Sequence, residues 1–138
     1  MQPFRARIRD EHGAAAVEFA LVLPILILLV FGIVQFSIMY NAQQGLHAAA
    51  REGARLGALP QTTQSDIVAH VEDALDGVGG IDVDDIDITI TPDNTRPCDL
   101  QPSGTPVVVT VESPATLDIP LWGVSTGTLT GKGEFKCE

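Results

Sequence analysis

The stretch Ala20 to Tyr40 is almost wholly Leu, Ile, Val, Phe, Ala, Gly and Met, and no Asp, Glu, Lys or Arg occurs from Phe19 to Ala50. A helix rises about 1.5 Å per residue and needs roughly 20 apolar residues to cross a bilayer's hydrocarbon core. The pattern therefore predicts a transmembrane helix, with its membrane part at about residues 19–40. Beyond Tyr40 the composition changes to Ala, Gln, Arg and Glu through Arg55, good helix formers that favour continuation into water. Gly57 and Pro60 provide the stop, as a glycine followed by a proline usually does. Unbroken from Ala14 to Leu56, such a helix spans about 43 residues, or roughly 65 Å. Pro24 removes one backbone hydrogen bond and is expected to bend it near its start.

After Pro60 the periodicity shortens. Ile67, Val68, Val71, Ala74, Leu75 and Val78 recur at spacings of three and four, which predicts an amphipathic helix within Thr62–Val78, capped by Thr63 or Ser65. Residues 81–90 alternate apolar and polar, the pattern of a strand with one wet face; the doubled acid at Asp84 and Asp85 shifts the alternation and marks a candidate bulge. Two more strands are predicted at Pro106–Glu112 and Gly127–Cys137. Between them Ser113–Ser125, with Pro114, Pro120 and Trp122, reads as a packed loop. The predicted class is α+β: a long N-terminal helix, a short amphipathic helix and a small antiparallel sheet of about three strands. The chain divides into a leader at 1–13, the long helix at 14–58 and a distal domain at 61–138.

Charge orients this arrangement. Arg5, Arg7 and Arg9 precede the apolar run with no comparable cluster immediately after it, which places the N-terminus in the cytoplasm and the distal domain outside. Residues 60–138 carry fourteen acids against Arg96, Lys132 and Lys136. So acidic a domain repels nucleic-acid phosphates, and binding to nucleic acid is discarded. A secretory signal peptide is the alternative for the apolar segment, but its apolar region is usually about 7–15 residues, shorter than this one. The net charge of −10 thus lies almost wholly in the distal half.

Gly45, Ala49, Gly53 and Gly57 recur every four residues and leave one helical face without bulk, where another backbone or domain approaches closely. Two occupants are open, a neighbouring subunit and the chain's own distal domain. Arg51 and Arg55, one turn apart, sit where the helix dipole favours positive charge. A domain of three short strands and one helix buries little surface and needs an added constraint. Outside the cytoplasm, Cys98 and Cys137 are expected to supply it as a disulfide; closing a loop of about 40 residues contributes roughly 4 kcal/mol as an upper figure.

An acid stands at the entrance to the apolar run. Gly13 is followed by Ala14-Ala15-Ala16-Val17 and then Glu18-Phe19. A carboxylate at the edge of hydrocarbon is costly unless an opposite charge meets it, which marks an intramembrane Glu as a functional residue. Cleavage between Gly13 and Ala14 would free an α-amino group able to pair with Glu18 of a neighbour and so fix the stagger between subunits.

The string Gly13-Ala14-Ala15-Ala16-Val17-Glu18-Phe19-Ala20-Leu21-Val22-Leu23-Pro24, with the later Ala50-Arg51-Glu52-Gly53-Ala54-Arg55, resembles the TadE-like minor pilins of the tight-adherence (Tad) system. The resemblance is specific over residues 13–58 and looser beyond. It implies a non-enzymatic subunit of the bacterial cytoplasmic membrane, cleaved by a prepilin peptidase between Gly13 and Ala14. Glu18 would be the fifth residue of the mature chain. The implied partners are other pilin subunits and the pilus assembly platform, and the implied role is pilus assembly, adhesion or secretion. Two alternatives stand beside it: an uncleaved bitopic part of the assembly machinery, and a membrane-tethered surface adhesion module.

Other chemistry finds weak support. Gly123-Val124-Ser125-Thr126-Gly127 matches the G-x-S-x-G nucleophile elbow in spelling, but it leads into a predicted strand rather than a helix, and His12, His47 and His70 are scattered. Asp82, Asp84, Asp85 and Asp87 lack the loop glycine and distant Glu of a calcium-binding loop, and are read as a solvated strand face. No phosphate-binding or dinucleotide glycine motif and no zinc spacing occurs. No cofactor and no metal is expected.

Overall fold

The computed structural model describes residues 11–99, 101–119 and 123–138, with backbone alone at 11–12 and 117–119. Helix α1, Glu11–Gly57, runs 47 residues without interruption and contains Pro24. It is long and apolar enough to cross a membrane, with a mean hydropathy of 2.8 over its most apolar window. A short turn through Pro60 leads to α2, Gln64–Leu75. Three strands follow, β1 Asp87–Thr91, β2 Pro106–Ile119 and β3 Gly123–Lys136, paired antiparallel in the order β1-β2-β3. The architecture is α+β, with the sheet and α2 both packed on the C-terminal part of α1.

Local chemistry accounts for the start of α2. Thr63 is its N-cap and accepts from the Asp66 amide, while the Asp66 carboxylate accepts from the Thr63 amide at 3.0 Å and from its hydroxyl at 2.6 Å. This reciprocal capping box satisfies two amide donors that a helix start otherwise leaves bare. The hydrogen bonds from Thr63 hold the Asp66 carboxyl below its usual range.

The core forms where α1, α2 and the sheet meet. Leu46, Ala49, Ala50 and Ala54 of α1 pack with Ile67, Val71 and Leu75 of α2 and with Val107, Val109 and Val111 of β2. Each of the larger side chains gains about 1.5–3 kcal/mol from leaving water. Opposite the valines, β3 has no side chains at two positions, since Gly131 pairs with Val111 and Gly133 with Val109. A Cβ at Gly131 would overlap the Leu46 backbone, and one at Gly133 would overlap the Ala50 carbonyl. The two glycines let α1 lie directly on the sheet.

Two predicted segments are corrected. Residues 81–90 are not one strand: Asp82 accepts from the Asp84 amide at 3.1 Å and caps a 3-10 turn at Val83–Asp85, so β1 starts only at Asp87. An acid whose side chain bonds the backbone two residues on favours a turn over an extended ladder. Nor is 113–125 a packed loop. Its described part belongs to the long β2–β3 hairpin, which pairs as far as Ile119 and Gly123; Pro120 and Trp122 lie outside the described residues.

Pro114 is accommodated by register. Thr130 and Lys132 turn their backbone groups away from β2, toward Gln43 and His47 of α1. The alternation of an antiparallel ladder then makes Thr128 and its partner Pro114 a pair without mutual hydrogen bonds. The missing N–H of Pro114 faces the side where β1 has already ended, at the Asp87–Glu112 pair.

Candidate functional site

Gly13, Ala14, Glu18 and Phe19 all lie on α1, all exposed. Ala14 and Glu18 are four residues apart and share a face, one turn from each other. From Gly13 to Val34 every residue is exposed except Leu28, which is half-buried. Phe19 is 62% exposed, and Leu21, Ile25, Ile33 and Phe36 are exposed to a similar degree. So large an apolar surface is far beyond what a protein in water normally shows, and it marks contact with lipid or other helices. The cluster Arg5, Arg7 and Arg9 lies outside the described residues.

The small-residue face further along α1 is filled by the chain itself. A Cβ at Gly45 would come within 2.8 Å of Val78, one at Gly53 within 2.6 Å of Val71, and one at Gly57 within 2.9 Å of Ile67 and 3.0 Å of Val107; Ala49 is buried beside them. Of the two occupants open from sequence, the geometry shows the distal domain. The small residues spaced by four on α1 and the glycines spaced by two on β3 together thin the layer between helix, helix and sheet.

The arginines that follow do not act through the helix dipole alone. Arg55 grips Glu52 with two hydrogen bonds, 2.6 and 3.2 Å, on an exposed face, while Arg51 donates to the His47 carbonyl at 3.3 Å. The Arg55 guanidinium holds the Glu52 carboxyl below its usual range, and Glu52 in turn raises Arg55. Screening by water keeps such a pair's contribution small.

Cys98 and Cys137 form a disulfide with Cα atoms 5.6 Å apart. It ties the end of β3 to the loop between β1 and β2, and the tie is reinforced by Gly104 donating to the Cys137 carbonyl and Cys137 donating to the Thr105 carbonyl, both at 2.9 Å. Sequence reasoning missed three features nearby. Gln43 donates to the Thr130 carbonyl at 2.8 Å, and His47 Nδ1 accepts from the Lys132 amide at 3.3 Å, so two polar side chains of α1 cover part of the free edge of β3. The third is the bare pair Gly131 and Gly133, whose alternate spacing within a strand was the available signal.

Neither minor chemical motif gathers a site. Ser125 lies within β3, opposite Leu117, rather than on a strand-to-helix turn. Asp82 serves as a cap, and among the described residues no three His, Cys, Asp or Glu side chains come together as a metal site. A surface cavity of about 520 Å³ lies in the loop before β2 and is lined by Asn94, Thr95, Arg96, Asp99 and Gln101, where Arg96 and Asp99 pair at 3.1 Å.

The molecule is therefore an α+β protein, a compact disulfide-tied domain built around the end of one apolar helix long enough to cross a membrane. The family model described as TadE-like protein matches residues 13–55, so over most of α1 the chain is similar to TadE-like proteins. No curated protein and no solved structure matches the chain.

Proposed function

We propose that the chain is a minor pilin made as a membrane-inserted precursor, cleaved between Gly13 and Ala14 by a prepilin peptidase and then built into, or supporting, a Tad pilus. In the precursor α1 spans the cytoplasmic membrane with the distal domain outside, the orientation that Arg5, Arg7 and Arg9 favour. The observation that carries this reading is the division of α1 into two faces of use. Its C-terminal part is covered by the chain's own domain, while the N-terminal part headed by Glu18 is left exposed over about two dozen residues.

The mechanism is physical. The apolar helix partitions into the bilayer, and assembly exchanges its lipid contacts for those of neighbouring helices. Cleavage supplies the cation that makes the exchange favourable for Glu18, since the new α-amino group of one subunit pairs with the carboxylate of another in a low-dielectric setting. Mass spectrometry of the full chain from membranes and from sheared filaments tests the reading. A mature chain beginning at Ala14 is expected, and one still beginning at Met1 would overturn it.

A further inference from the structure

The charge of the distal domain is sorted across its sheet. Residues 56–95 hold nine acids and no Lys or Arg, and Asp82, Asp84, Asp85 and Asp87 stand exposed on the flank that ends in β1. Lys132 and Lys136 stand exposed on β3, the opposite edge of the sheet, with Glu134 between them. The two edges also differ in shape. A groove of about 280 Å³ lies between α2 and β1, lined by Gln64, Val68, residues 88–91 and Asp93. Val68 and Ile88 are half-buried there. On β3, Phe135 is 41% exposed, a large apolar side chain left in water.

This knob and this groove share a level and a side. Thr91, Val108 and Glu134 form one row across the sheet, and Phe135 is the next residue of β3. Phe135 pairs with Val107, Ile88 with Val111 and Ile90 with Val109; all three valines are buried, so Phe135, Ile88 and Ile90 belong to the helix-covered side. Lys132, Lys136 and Asp87 alternate onto the other side. Gly131 lies on Leu46 and Gly133 on Ala50, so β3 runs in the direction of α1, and β1, two antiparallel steps away, does too.

We propose that these edges form a contact between two copies of the chain: Phe135 of one enters the α2–β1 groove of the second, where Lys132 and Lys136 meet Asp87 and Asp93. The inference deepens the pilin reading and rests on its membrane orientation, in which every copy stands the same way up. Two such copies side by side either present like edges to each other, about an axis along α1, or unlike edges. Like edges set one sign of charge against itself, whereas unlike edges match knob to groove and cation to acid. Side chains make the contact, because Gln43 and His47 already occupy the Thr130 carbonyl and the Lys132 amide at the β3 edge. Each pair keeps one knob and one groove free, so the contact repeats from copy to copy, as head-to-tail interfaces do in filaments. An aromatic anchor in a groove, ringed by polar groups, is the arrangement that carries most of an interface's energy.

The test co-reconstitutes unlabelled and heavy-isotope-labelled full chain in vesicles and adds a carbodiimide, which joins a lysine amine to a carboxylate in contact with it. Mass spectrometry is expected to find mixed-isotope links from Lys132 or Lys136 to Asp87 or Asp93. Phe135→Ser keeps both lysines and is expected to lower the yield of these links at least about tenfold, with the disulfide and thermal unfolding as checks on folding. Links confined to single chains, links from the lysines to other carboxylates instead, or a folded Phe135→Ser chain that links at parental yield would each overturn the proposal. If that variant does not fold, the parent's link pattern decides. Failure of the underlying readings shows separately: release of the chain by alkaline extraction removes the membrane orientation, and a chain still beginning at Met1 removes the processed pilin.

Discussion

Gly133 of β3 lies against the carbonyl of Ala50, with no room for a Cβ between them. The contact joins a strand and a helix that are more than eighty residues apart in sequence, and it fixes how closely α1 approaches the sheet. Because the obstructing atoms are backbone, they cannot rotate away. Gly133→Ala is expected to destabilise the domain by about 2–3 kcal/mol or more, at the upper end of overpacking costs. Gly127→Ala, at a site with open space around it, is the control and is expected to stay within about 1 kcal/mol of the parent. Thermal unfolding of the full chain in detergent, followed by circular dichroism, measures both.

The disulfide gives a second prediction. Cys98→Ala/Cys137→Ala, or reduction, releases a 39-residue separation and is expected to lower stability by about 2–4 kcal/mol. The C-terminal end of β3 should open first, since the Cys137 backbone bonds to Gly104 and Thr105 lie beside the bridge. Hydrogen exchange at residues 133–137 follows that opening; equal protection with and without the bond would show that the ladder alone holds the end.

The capping box at Thr63 and Asp66 predicts a pH dependence with a definite sign. The carboxyl of Asp66 is lowered in the folded chain, so its contribution is present above the ordinary carboxylate range and is lost as pH falls through the folded value. Thr63→Ala removes the side-chain acceptor and is expected to cost about 1 kcal/mol at neutral pH. Asp66→Asn should flatten the acid limb of the stability curve, and an acid limb identical to the parent's would assign it to other carboxylates.

Glu18→Gln separates insertion from assembly. The apolar run is unchanged, so the variant is expected in the membrane fraction at parental level. In a filament the neighbour's amine would be left buried without its partner, a loss of about 3 kcal/mol or more. Quantitative immunoblots of membranes and sheared filaments should therefore show the variant retained in the first and depleted in the second. Parental amounts in filaments would remove Glu18 from the assembly mechanism.

Much of this molecule was legible from sequence, for reasons that differ by element. The long helix is written in the almost wholly apolar stretch Ala20–Tyr40, α2 in a three-and-four stripe with Thr63 before it, and the disulfide in there being two cysteines with a domain too small to do without them. The misreadings share one cause, which is that local signals were opposed by context. Pro114 argues against a strand, yet it sits where β1 has ended and its missing donor leaves no gap in the β2–β3 ladder. The aspartates at 82–85 alternate well enough for a strand, but a side-chain cap on the Asp84 amide turns them into a 3-10 turn. The occupant of the Gly45–Gly57 face could not be decided from spacing, because a neighbouring helix and the chain's own α2 require the same absence of bulk.

The alanines and Leu46 of α1 belong to the same hydrophobic cluster as the valines of β2. Residues 61–138 consequently have no complete interior of their own: a fragment begun at Pro60 would expose Val107, Val109 and Val111 and leave the bare glycines facing water. A soluble version has to retain α1 from about Ala42. Tension applied along α1 would likewise be transmitted straight into the packing of the distal domain, with no hinge between them to absorb it.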